Sequence, residues 1–303
     1  MKCIMEGFEP FDKFWFRTCF YQAFLSIAKY FGGNLNKYFS NQIFEYEEMD
    51  TGHLMIVRKN IVHYTEVEGI KERKLKQVKN IIQEIECAIE EGHPVIIATD
   101  TYYVPHRNDT YLKQHGIHYI CIYGFDNKTR RFNILDHASW GSYKYEKKEM
   151  LYSDALTAYT AYLKDHPDEY TFFAYSKGGQ VKEGKRPVYD NNELLANYMQ
   201  KFKTDLERED VGYEGYRLFF EGETWVRIPV MEMYLAIGEE ECYSVFSGLI
   251  NTAKMIFVIM TRDRHRKMSK EVKQKLSGYA DRFLQLKRET DQAEKKYYAR
   301  IEH

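Results

Sequence analysis

Apolar positions change period several times along the chain, and each change outlines an element. From Thr18 to Gly33 they fall at 20, 23, 24, 27, 28 and 31, the spacing of one buried helix face. Thr18 can cap the start of that helix, and Gly32-Gly33 stops it. His53–Val57 and Asn60–Tyr64 predict short strands. Between Lys71 and Glu91 the residues Leu75, Val78, Ile82, Ile85 and Ile89 make one stripe among charges, which predicts an amphipathic helix ended by Gly92 and Pro94. Pro94–Thr99 is a continuous apolar run, the mark of a strand buried on both faces. Ile117–Gly124 and Arg131–Asp136 alternate with period two about a turn at Asp126-Asn127-Lys128, which predicts an antiparallel pair.

A helix over Leu151–Leu163 and a strand over Thr171–Tyr175 complete this half of the chain. Ser176–Pro187 has the glycine, proline and charge of a linker. Beyond it, helical patterns run over 190–207, 213–222, 227–237, 240–262 and 268–300. The last carries a narrow stripe of Leu276, Tyr279, Phe283 and Leu286, which suits packing in a bundle or against a second copy in a homo-oligomer. The fold class is therefore α+β, with one domain over 1–180 and a helical domain over 185–303.

Composition narrows the function classes more than the fold. The 303 residues are 44% hydrophobic and 16% aromatic, enough for two cores. A formal charge of −1 provides no basic field for nucleic acid. Five cysteines (3, 19, 87, 121 and 242) are scattered without a C-x-x-C spacing, as suits a reducing compartment. Residues 1–11 lack the apolar core of a signal peptide, so the chain reads as cytoplasmic. Val245–Met260 is broken by Ser247, Gly248, Asn251, Thr252 and Lys254, which favours a buried helix over a membrane span. Neither a nucleic-acid nor a membrane partner is expected.

Cys19 stands at the first turn of its helix, where unpaired amide groups favour thiolate over thiol. Simple burial as a small core residue is the competing reading. The strand pair downstream bears on the choice. If residues whose numbers sum to 254 are paired, His118 faces Asp136 on one side of the sheet. A thiol, an imidazole to hold and move a proton, and a carboxylate to orient it are the parts that thiol acyl transfer needs. His115 is a rival base, but it precedes Gly116 in a loop. His106, His115, His118 and His137 match no zinc spacing, so no metal and no cofactor is expected. Cys121 alternates away from His118, and Cys3, Cys87 and Cys242 read as packing residues. Asp100, Tyr102 and Tyr103 follow the central strand and are candidate substrate contacts, or a cover for the core edge.

These residues carry a resemblance. Cys19 at a helix start, Gly116–Asp126 around His118, and Phe132–Asp136 are similar to papain-like, peptidase C39-like cysteine enzymes. Gly92–Pro105 before the histidine strand, together with a helical second half, resembles the butirosin-biosynthesis H family more narrowly. The resemblance implies a papain-like N-terminal domain, with the Cys19 helix packed on an antiparallel sheet. It also implies an acyltransferase that moves an acyl group from an acyl carrier protein, through a cysteine thioester, to a small-molecule amine acceptor in secondary-metabolite biosynthesis. Cys19 would be the nucleophile, His118 the base and acid, and Asp136 the orienter. A cysteine peptidase or amidase, or a non-catalytic binding protein on the same fold, are the alternatives. The chain departs from the papain-like pattern at Lys13, where a glutamine helps form the oxyanion hole, at Phe20 after the cysteine, and at His137. Lys267, Lys270, Lys273 and Lys275 offer positive charge to an acidic carrier.

Overall fold

The structure, a computed structural model, describes residues 1–13, 16, 18–137, 144–184, 192–208, 212–262 and 268–301. The order of elements is β1 (Lys2–Ile4), α1 (Cys19–Tyr30), α2 (Leu35–Ser40), β2 (Gln42–Glu48), β3 (Leu54–Asn60), β4 (Ile70–Leu75), α3 (Ile81–Glu90), β5 (Val95–Asp100), β6 (Ile117–Asp126), β7 (Arg131–His137), β8 (Tyr145–Leu151), α4 (Tyr152–Asp165) and β9 (Phe172–Lys177). Four helices follow, α5 (Asn192–Leu206), α6 (Glu214–Ala236), α7 (Glu240–Arg262) and α8 (Lys270–Ile301). The architecture is α+β.

The chain divides into two compact units, one of Met1–Tyr38 with Val62–Glu183 and one of Phe39–Ile61 with Gly184–His303. A single cut between 180 and 185 does not describe this division, because the β2–β3 hairpin goes with the helices. Tyr46 and Leu54 share a buried cluster with residues of α5 to α8, and Arg227 Nη2 donates to Tyr46 Oη at 2.9 Å.

In the first unit an antiparallel sheet runs β4-β9-β5-β6-β7-β8, and β1 pairs with the end of β6. β5 is central and all six of its residues are buried, as its unbroken apolar run requires. Helix α1 packs on β5 and β6, with every residue from Gln22 to Ala28 buried. Lys71–Glu91 is not one helix. Its first part is β4, an edge strand paired with β9, and only Ile81–Glu90 is helical, with Asn80 Oδ1 accepting from Gln83 N at 3.3 Å. Charge on an edge strand discourages further pairing, so the residues that look like a helix's wet face serve a strand equally well. Asn60–Tyr64 likewise ends β3 and begins a 3₁₀ turn.

The second unit is built on Leu195, Phe202, Phe220, Leu249, Ala253, Leu276 and Phe283, contributed by α5 to α8. Helix α6 runs unbroken from 214 to 236 through Pro229, where the sequence predicts two helices. By length and composition α7 could cross a membrane; here its Phe246, Leu249, Ala253 and Ile256 are buried in the helical core.

Candidate active site

Cys19 is the first residue of α1, and Thr18 Oγ1 accepts from Tyr21 N at 3.5 Å. The approach to the cysteine is anchored by the helix itself. Gln22 is fully buried, accepting from Phe16 N at 2.9 Å and donating to Phe11 O at 3.0 Å. Ser26 Oγ accepts from Phe11 N at 2.9 Å. Lys13, the residue at the expected oxyanion-hole position, is exposed. Backbone hydrogen bonding from Tyr119 and Phe20 contributes to lowering the Cys19 thiol.

The hairpin reaches the His118–Asp136 pairing by a different register from the one the sequence predicts. Asp126 pairs with Arg131, Phe125 with Phe132 and Gly124 with Asn133. The turn between them is closed by Asp126 Oδ1, which accepts from Lys128 N at 2.9 Å. Carried straight on, that register would put His118 and Asp136 on opposite faces. A bulge at Tyr123 inserts one residue into β6, so that Ile122 pairs with Ile134 and Cys121 with Leu135. Like-numbered parity is restored, and His118 and Asp136 are diagonal neighbours on one face. Gly124, beside the bulge, also lets β1 approach: a Cβ there would lie 3.0 Å from Cys3 O and 3.1 Å from Ile4 Cα.

The consequence is a series of hydrogen bonds. His118 Nε2 lies 2.6 Å from Asp136 Oδ1, and His118 and the Cys19 thiol shift each other's titration through charge and hydrogen bonding. An ionised carboxylate only accepts, so Nε2 carries the proton. His137 N also donates to Oδ1 at 2.6 Å, and His106 Nε2 donates to Oδ2 at 2.5 Å. Asp136 is fully buried and His118 is 3% exposed. Burial opposes charge on Asp136, but the His118 charge and the donors from His106 and His118 hold its carboxyl well below the usual range. Burial also opposes the imidazolium, yet the Asp136 charge and hydrogen bond, with Cys19 adding to them, raise His118 to about 9. At Cys19 burial favours the thiol, and the bond and charge of His118 with the two backbone donors outweigh it, so the thiol is lowered. The arrangement stabilises a thiolate beside an imidazolium.

Two residues here escape sequence reading, because the loop that carries them has no periodicity. His106 and Arg107 come from the β5–β6 connection, residues 101–116. Arg107 Nη1 lies 3.3 Å from His118 Nε2, while its Nε and Nη2 donate to Asp109 at 3.1 and 2.8 Å. The length of the connection between paired strands is the one signal that could have marked it. Tyr145 Oη donates to Cys19 O at 3.3 Å from β8.

Asp100, Tyr102 and Tyr103, expected as substrate contacts or as a cover for the core edge, sit at the base of this loop. Asp100 Oδ1 accepts from Tyr102 N at 3.0 Å and Gly116 N at 3.2 Å, and Oδ2 accepts from His115 Nδ1 at 2.6 Å. Tyr102 stacks on His115 with centroids 4.4 Å apart, and Tyr103 packs on Tyr102. The carboxylate is taken up in closing the loop. Cys121 is buried, and burial raises its thiol.

His118, Asp136 and His137 place three donor atoms within 4.8 Å of one another. A cation held between an imidazole nitrogen and a carboxylate oxygen needs about 2.0–2.2 Å to each. At 2.6 Å, the His118 and Asp136 atoms are instead in direct hydrogen-bond contact. The geometry is that of a proton-sharing set.

The family model described as butirosin biosynthesis protein H, N-terminal, matches residues 45–137. Over that segment, less than a third of the chain, the sequence is similar to that family. The matched segment carries His106, His118 and Asp136, and Cys19 lies before it. No curated protein matches the chain. The similarity is compatible with a role in biosynthesis for the part of the chain that holds the imidazole and the carboxylate.

Proposed function

We propose that the protein is an acyltransferase that works through a Cys19 thioester. The observation that carries this reading is the grouping of Cys19, His118 and Asp136: His118 sits 2.6 Å from a buried carboxylate, and its charge and hydrogen bonding lower the Cys19 thiol. The Cys19 thiolate attacks the carbonyl carbon of an acyl thioester. The oxyanion collapses, the C–S bond to the carrier breaks, and the departing thiolate takes the proton from His118. An amine then attacks acyl-Cys19, neutral His118 takes the amine's proton, and the C–S bond to Cys19 breaks to leave an amide. The backbone N–H groups of Phe20 and Tyr119, which help lower the Cys19 thiol, are the donors assigned to such an oxyanion. An acyl carrier protein as donor and a small amine as acceptor fit the relationship to butirosin biosynthesis protein H.

The test is intact-mass measurement after incubation with acyl thioesters. An adduct of acyl mass that is absent in Cys19→Ala, and is discharged by amines faster than by water, is the expected result. Cleavage of simple amides at comparable rates would favour the peptidase reading instead. A broad thioester panel that leaves Cys19 unmodified would remove the proposal.

A further inference from the structure

Asp136 serves two histidines, and only one of them reaches Cys19. His106 holds Oδ2 at 2.5 Å while His118 and His137 N share Oδ1. His106 is delivered by a loop whose own geometry is closed independently of the site. Its base is pinned by Asp100, by Thr101 N donating to Gly116 O at 2.9 Å and by Leu112 N donating to Tyr102 O at 3.0 Å. Val104, two residues before His106, is fully buried. The His106 side chain is 17% exposed and lies against a fully buried carboxylate.

We propose that His106 is a positioning residue for the Cys19–His118 pair: by holding the outer oxygen of Asp136 it keeps the inner oxygen on His118 Nε2. The imidazolium beside the Cys19 thiolate then keeps its partner. Without His106 the carboxyl group is held through Oδ1 alone, by His118 and His137 N, and turns more readily about its Cα–Cβ and Cβ–Cγ bonds. The inference rests on the acyl-transfer reading only in taking Cys19 and His118 to act as a pair. Other charged and titratable groups face that pair: Arg107 and Asp109 from the loop, Tyr119 from β6, His137 from β7 and Tyr145 from β8. Arg107 stays charged at all working pH values and Asp109 is paired with it. Asp109, an ionised acceptor, cannot replace a donor on Oδ2.

The experiment needs no substrate. The rate at which iodoacetamide alkylates Cys19, with loss of iodide, is followed by peptide mass between pH 5 and 10 in the native chain and in His106→Ala, His106→Gln and His118→Ala. In the native chain the rate at pH 6 should exceed that of His118→Ala by about tenfold or more. His106→Ala should lower it by about threefold to tenfold, with the acid limb moved to higher pH. His106→Gln, whose amide N–H can reach Oδ2, should bring it back to within about twofold. Thermal melts of all variants separate loss of fold from loss of positioning. A His106→Ala profile that overlays the native one overturns the role of His106 and leaves the acyl-transfer reading intact. A native profile no different from that of His118→Ala overturns both.

Discussion

Among the described residues, two buried aspartates each hold a histidine at 2.6 Å, and they do different work. Asp100 and His115 close a loop. The His115 side chain is 65% exposed, its ring lies on Tyr102, and the remaining lone pairs of Asp100 are taken by backbone N–H groups. Asp136 and His118 are out of water, and His118 also interacts with the Cys19 thiol. A short His–carboxylate bond therefore says little by itself. What separates the two is burial, which makes charge costly unless it is paired, and the third group in line.

The comparison can be broken most severely at the carboxylate. Asp136→Ala should lower Cys19 alkylation at pH 6 by about a hundredfold and cost about 3 kcal/mol on denaturant unfolding, since it leaves His118 buried without its partner. Next in size is the response to pH. The folded value of His118 lies above its unfolded 6.5, so its contribution to stability is full below about 6.5 and is lost as pH rises through about 9. Melting temperature should fall across that upper range in the native chain, and the fall should be absent in His118→Gln. Gly124→Val should cost about 2 kcal/mol by driving a side chain into β1, and should slow Cys19 alkylation through the bulge. At Asp100 the effect should be one of stability alone. Asp100→Ala is expected to cost about 1–2 kcal/mol while leaving the alkylation profile within about twofold. The exposed partner should matter least, with His115→Ala costing below about 1 kcal/mol in the same unfolding measurement. A profile altered by Asp100→Ala as much as by Asp136→Ala would erase the distinction.

The sequence made the Cys19 helix and the central strand legible because each buries a whole face or both faces, and burial is what apolar spacing records. β4 was illegible for the opposite reason. Its charged residues satisfy an exposed edge strand and a helix face alike, and pairing with β9 decides between them. The shared face of His118 and Asp136 could be read from alternation, though through a register that the hairpin does not use. A four-residue turn and a bulge shift the numbering, and neither has an apolar signature. His106 and Arg107 were beyond reach because a loop's path follows from hydrogen bonds at its base. Asp100 did hold a clue to that base: a carboxylate two residues before Tyr102 N is ordinary turn chemistry.

The extra residue at Tyr123 also limits how this hairpin can change in length. Faces alternate residue by residue, so gaining or losing two residues inside β6, between His118 and its paired end, keeps the carboxylate beside the imidazole. Gaining or losing one there does so only if the bulge goes or a second appears. Related chains with the same pair should therefore differ within these strands in even steps, whereas the turn can vary by any number while the pairing is kept.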